Sequence, residues 1–169
     1  PPGSGSSPYF ALSSFAGNPA LVSVDAIGLE MPPPVVTGAT HRADFVAAKQ
    51  VKDQALRQAF SALDAGSGAD LDRFAAEEAW WLDDWALFAT LEGQFGAPWQ
   101  SWPRGLASRD PTTLTAARRE FAPEIRFHQF VQLCFARQWG AVRSYAAKSR
   151  VAILGDLPIF PALHSSDVW

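Results

Sequence analysis

Asp156 closes an apolar run, Val151-Ala152-Ile153-Leu154-Gly155, that has no polar alternation and reads as a short strand covered on both faces. In parallel α/β proteins, ligand-handling side chains collect at the C-terminal ends of strands, where loops carry them and the strands and helices hold them still. Asp156 is therefore a candidate for ligand contact. Glu77, Glu78, Asp83 and Asp84 have the density of a catalytic or metal-binding cluster. No His or Cys is interleaved among them at ligand spacing, and acids near helix N-termini are favoured by the helix dipole, so a solvated or capping role is expected and no metal. His128 has no nucleophile near it in sequence and is read as a buried or half-buried histidine hydrogen-bonded within a helical layer. There is no G-x-G-x-x-G, P-loop, H-E-x-x-H or G-x-S-x-G, which leaves dinucleotide, nucleotide, zinc-protease and hydrolase-elbow chemistry without support.

The elements that must position these groups are mostly helical. Apolar residues at steps of three and four predict a helix from Asp44, its N-cap, to Asp64, ended by Gly66-Ser67-Gly68. A second helix is expected over 70–79, bending into a third over 81–95 that Gly96-Ala97-Pro98 stops. Asp110-Pro111 is an N-cap with proline at the first helical position and starts a helix to about Phe121. Pro123 repeats the device. The long helix that follows, Glu124 to about Ala147, places Phe127, Phe130, Val131, Cys134, Phe135, Trp139, Val142 and Tyr145 on one broad face. It feeds the 151–154 strand through a short loop. Leu21-Val22-Ser23-Val24 is a second strand candidate, residues 1–20 form an irregular loop with turns, and Met31-Pro32-Pro33-Pro34 crosses the surface as turns or polyproline-like chain.

The chain has 169 residues, 48 % of them apolar, enough for a sizeable core. A formal charge of −3 gives no field for nucleic acid or an anionic membrane. Cys134 is the single cysteine, which excludes an intramolecular disulfide and points to a reducing compartment, the cytoplasm by default. No apolar stretch has the length of a bilayer span. Five of the seven tryptophans, Trp80, Trp81, Trp85, Trp99 and Trp102, lie close together in sequence; filling a helix seam is their expected use, with stacking on sugar rings the alternative.

Three runs carry a resemblance. Ser7-Pro8-Tyr9-Phe10-Ala11-Leu12-Ser13-Ser14-Phe15-Ala16-Gly17-Asn18-Pro19 is similar to the S-P-Y-Q-x-x-S-A-F-A-G-N-P loop of the amylomaltases, the 4-α-glucanotransferases of glycoside hydrolase family 77. Trp81-Leu82-Asp83-Asp84-Trp85-Ala86-Leu87-Phe88 resembles that family's W-L-x-D-Y-A-L-F helix. Glu124-Ile125-Arg126-Phe127-His128-Gln129-Phe130, followed by Gly155-Asp156-Leu157-Pro158-Ile159-Phe160 and Ser165-Ser166-Asp167-Val168-Trp169, resembles its E-I-x-F-H-Q-F helix and G-D-L-P-I-Y strand end. The runs occur in family order and cover nearly the whole chain.

The resemblance implies an α/β fold: the N-terminal part of a (β/α)8 TIM-type barrel with helical insertions, incomplete in this chain and mostly helical. It divides the chain into a barrel loop and short strand (1–40), a helical insertion (41–122), and a barrel helix, strand and loop (123–169). It implies a retaining transferase that passes α-1,4-glucan segments between maltooligosaccharides or starch- and glycogen-derived glucans, one carboxylate attacking the anomeric carbon and another acting as acid and base. Tyr9 matches the tyrosine that stacks on the glucose beside the scissile bond, and Asp156 the carboxylate that helps hold that sugar.

Phe10, Pro161 and His164 depart from the pattern, and His164, standing where an acid is usual, is a third candidate for substrate contact. A complete barrel needs about 250 residues. No match to the family's nucleophile, acid/base or third carboxylate is found, so no catalytic residue is assigned here, and the chain, which lacks an initiator Met, is expected to be the N-terminal part of a longer enzyme and inactive alone. No cofactor is implied. The alternatives are a glucan-binding or interaction module that keeps the scaffold without its chemistry, and an unrelated helical assembly protein.

Overall fold

The computed structural model describes residues 9–27, 45–156 and 160–169, and their regular structure is helical. The expected polyproline-like crossing, the Asp44 cap and Leu157-Pro158-Ile159 lie outside the described residues.

Helix α1 spans Phe45–Ser61 and buries Ala55, Leu56 and Ala59. The Gly66-Ser67-Gly68 run does not merely follow it: the Asp64 side chain accepts from the Ser67 N–H at 2.7 Å and opens α2, Ala65–Glu77, so both glycines lie in its first turns. A satisfied end N–H outweighs the poor helix propensity of glycine near a terminus. The chain turns at Glu78 into α3, Ala79–Phe95. Instead of one stripe, α3 buries Leu82, Trp85, Ala86, Leu87, Phe88, Thr90 and Leu91, the pattern of a central helix. Each fully enclosed leucine there is worth roughly 1.5–3 kcal/mol. Gly96, at φ 72°, ends it where a side chain would be strained. After a 3-10 turn at Trp99–Ser101 come the short α4, Arg104–Ala107, and α5, Pro111–Glu120, capped as expected by Asp110, which accepts from the Thr113 N–H at 2.8 Å.

Helix α6, Ala122–Lys148, organises the rest. Its Ile125 joins α3, Trp102, Leu106, Ala117 and Trp169 in one core, while Phe127, Phe130, Val131, Leu133 and Cys134 join Leu56, Ala59, Leu71 and Val22 in a second. The broad face predicted for α6 stops short, however. Trp139, Val142 and Tyr145 are 42 %, 50 % and 74 % exposed, because α1, α2 and α3 cover only the first half of the helix. The helix ends on Arg150 at φ 56°, with Arg150 N–H donating to Ala147 and Val151 N–H to Ala146, the pairing that closes a Schellman end.

Neither predicted strand forms. Val151 to Leu154 is irregular chain, with Leu154 98 % exposed, since a strand needs a neighbour for its backbone groups and no strand lies beside it among the described residues. At 21–24, Asn18 caps Ala20 and Pro19 opens a 3-10 turn, Pro19–Leu21; only Val22 is buried, as an anchor on α1 and α6. No helix among the described residues is long and apolar enough to cross a membrane.

Candidate functional site

The loop that begins at Tyr9 is fixed from two sides. On one side lies α6, whose Gln132 is 3 % exposed and amid apolar neighbours. Its Oε1 accepts from the Gly17 N–H at 2.7 Å and its Nε2 donates to the Gly17 carbonyl at 3.1 Å. Gln138 repeats the arrangement on Ser23, at 2.7 and 2.9 Å. Lys52 of α1 adds its ammonium to the carbonyls of Ala20 and Val22, the latter at 2.9 Å. Gly17 sits so close to α6 that a Cβ there would lie 2.1 Å from Phe135 Cδ1. Within the loop, the buried Ser13 hydroxyl accepts from the N–H groups of Phe15 and Ala16 at 3.1 and 3.3 Å.

On the other side lies the segment 160–169. Ser166 donates to the Leu12 carbonyl from its N–H, at 2.8 Å, and from its hydroxyl, at 3.1 Å; the Ser14 N–H donates to Asp167 Oδ2 at 2.7 Å. That segment is itself anchored by Trp169, whose Nε1 donates to the Leu106 carbonyl and whose ring packs on Phe88 and Trp102 beneath the Arg109 guanidinium. Held in this way, the loop leaves Tyr9, Phe10 and Phe15 outward, 69 %, 61 % and 56 % exposed, with Phe15 edge-on to Trp80 at 4.9 Å.

The three residues singled out from the sequence have different settings. Tyr9 stands at the exposed start of the braced loop. Asp156 is exposed in irregular chain after α6. His164 is brought to the Tyr9 loop through its neighbours Ser166 and Asp167, but its own ring turns to α3. Nδ1 accepts from the Trp99 N–H at 3.1 Å, which leaves the proton on Nε2 to donate to Glu92 Oε1 at 2.8 Å, and the ring packs on Phe88 at 5.4 Å. With both nitrogens engaged, His164 acts as a brace, and a sugar would have to displace a partner to reach either.

Two of the four acids in the 77–84 cluster have structural partners. Asp84 pairs with Arg109 and Arg118 at 2.7 and 3.2 Å, and Glu78 accepts from Trp81 Nε1 at 2.6 Å. Among the described residues no three His, Cys, Asp or Glu side chains converge as a metal would require. His128 is half-buried beside Glu124, 3.6 Å away, and loss of solvent pushes its pKa down to about 4. Arg57 reaches Glu124 with two hydrogen bonds, at 3.0 and 2.7 Å, and holds that carboxyl below its ordinary range. Burial pushes the Cys134 thiol up to about 11, which keeps it protonated and unreactive.

Gln132, Gln138 and Lys52 went unnoticed in the sequence. The available signal was Gln132 itself, an amide inside Val131-Gln132-Leu133-Cys134, because a buried amide needs partners for both ends.

The family model described as 4-alpha-glucanotransferase matches residues 1–169. A 4-alpha-glucanotransferase of Thermus thermophilus is 39 % identical over 180 aligned positions, covering 100 % of this chain and 35 % of the relative. One from Synechocystis sp. is 36 % identical, covering 100 % and 36 %. Among solved structures, an amylomaltase from Streptococcus agalactiae in complex with acarbose superposes with a TM-score of 0.88 at 26 % identity, covering 96 % of this chain and 35 % of that one. The chain thus spans about a third of the length of these relatives.

Proposed function

Since the chain belongs to glycoside hydrolase family 77, the 4-alpha-glucanotransferases, we propose that it supplies the glucan-holding part of such an enzyme, which transfers α-1,4-glucan segments between maltooligosaccharides by retaining double displacement. In this reading residues 151–156, irregular here, would become an early strand of a (β/α)8 barrel once paired with neighbouring strands, and the helices α1 to α5 are insertions around it. The observation that carries the reading is the exposed Tyr9 on a loop braced by α6 and by residues 164–169. A phenol held outward on a fixed backbone offers an apolar face to a glucose ring and a hydroxyl to its edge, at little cost in ordering. Asp156 supplies a carboxylate to accept from sugar hydroxyls. His164 is left to brace the loop.

Bond-making is assigned to groups other than these. A glycosidic general acid needs a carboxyl pKa raised toward neutrality. Among the described residues, the displaced carboxyls, Asp64, Asp110 and Glu124, are moved the other way, by the Ser67, Thr113 and Arg57 groups that donate to them. The 169-residue chain is therefore expected to bind acarbose or maltotetraose without turning over glucan. Incubation with maltotriose tests this: an unchanged substrate is expected, whereas glucose together with longer maltodextrins would overturn the assignment. Isothermal titration with acarbose tests the binding half, and an absence of heat at millimolar ligand would count against it.

A further inference from the structure

We propose that Gln132 is a positioning residue for the Tyr9 loop, setting where Tyr9 meets a glucan through a two-ended clamp on the backbone N–H and C=O of Gly17. The proposal rests on the reading of Tyr9 as a glucan contact, and its structural half stands on separate geometry. Gln132 and Gln138 lie six residues apart on α6, as Gly17 and Ser23 do on the loop, and each glutamine both accepts from and donates to the backbone of its partner. Six residues of α-helix advance about 9 Å, whereas six of extended chain cover about 20 Å. The 3-10 turn at Pro19–Leu21 shortens the loop so that both pairs meet in register.

Of the two clamps, Gln132 is the buried one and the nearer to Tyr9. An amide that accepts from a residue's N–H and donates to its C=O fixes the two peptide groups that flank that residue, since a shift or flip of either would leave an end of the buried Gln132 amide unsatisfied. Phe135 closes the remaining freedom by filling the space a Cβ at residue 17 would need. No smaller or purely apolar side chain at 132 satisfies both Gly17 groups. A merely stabilising core residue would make the chain more or less stable without selecting the place of Tyr9.

The test compares the unsubstituted chain with Gln132→Leu, Gln138→Leu and, as a core-cavity control that removes no hydrogen bond of either clamp, Leu91→Ala. Hydrogen exchange at the Gly17 and Ser23 amides and acarbose affinity are read for each. Gln132→Leu is expected to release the Gly17 amide and, by letting Tyr9 shift, to weaken acarbose about tenfold. Gln138→Leu should release Ser23 with a smaller loss of affinity, and Leu91→Ala should lower the melting temperature while leaving both amides and the affinity in place. Equal affinity losses in Gln132→Leu and Leu91→Ala, or an unchanged Gly17 amide, would overturn the proposal. Should Gln132→Leu fail to fold, Gln132→Met replaces it: close to Gln in length, it neither donates to the Gly17 carbonyl nor accepts strongly from the Gly17 N–H, and an unaltered affinity there overturns the proposal equally. If the unsubstituted chain binds no acarbose, the glucan reading falls, and the exchange comparison alone decides for or against the clamp.

Discussion

Acidification is expected to weaken the chain through His128. In the unfolded chain this imidazole takes up its proton near pH 6.5; in the folded chain, withdrawn from water against Phe127 and Glu124, it resists until about pH 4. Between those values the unfolded state binds more protons, so stability falls as pH falls. With a folded pKa of about 4 against 6.5, the loss is about 2 kcal/mol at pH 5 and about 3 kcal/mol at pH 4, relative to pH 8. The ring keeps 23 % of its surface exposed, so these figures are upper bounds. Glu124, whose carboxyl Arg57 holds low, adds a loss of the same sign at lower pH, as it becomes protonated. Urea unfolding followed by circular dichroism at pH 8, 6.5 and 5 gives the measurement, and His128→Gln isolates the residue because every other titrating group is common to both chains. The unsubstituted chain should lose up to about 2 kcal/mol more than the variant between pH 8 and pH 5. Equal losses in both would refute the assignment of the pH dependence to this ring.

Other substitutions probe the packing. Gly17→Ala places a methyl 2.1 Å from Phe135 Cδ1 and is expected to cost about 1–3 kcal/mol, read as a lower melting temperature; an unchanged value would mean the loop does not lie on α6 as described. Trp85→Phe and Trp102→Phe remove the same atoms from one core, but Trp102 Nε1 donates to the Gly96 carbonyl at 2.6 Å whereas the buried Trp85 Nε1 has no partner among the described residues. The Trp102 variant should therefore be less stable than the Trp85 variant by about 1–2 kcal/mol in urea, and the reverse order would contradict the hydrogen-bond assignment.

Much of the helical layer was legible because it depends on local signals. The apolar steps of α1 and α3, the Asp110-Pro111 start of α5 and the entry of α6 after Phe121 need only spacing, caps and proline geometry. Misreadings arose where a distant or competing partner decides the outcome. Gly66-Ser67-Gly68 looks like a stop until the Asp64 cap turns it into a start. Val151 to Leu154 has the composition of a buried strand, but composition cannot say whether a neighbouring strand is present to pair with it. The exposed end of α6 reflects how far α1 to α3 reach along it, which periodicity within α6 does not encode. For the candidate site, motif resemblance indicated Tyr9, Asp156 and His164. The two glutamine clamps lie 115 residues from what they hold, and the brace at His164 depends on Trp99 and Glu92, so local sequence could mark Gln132 as a buried amide but could not name the partner of any of the three.

The glucan-holding role of the Tyr9 loop is tested most directly by calorimetric titration of the chain and of Tyr9→Ala with acarbose. Tyr9 is 69 % exposed, and the melting temperature of the variant, read alongside, separates a loss of affinity from a loss of fold. Acarbose should bind the unsubstituted chain and lose about tenfold or more in affinity, ~1.4 kcal/mol, in the variant. Equal affinities in the two chains would contradict the account.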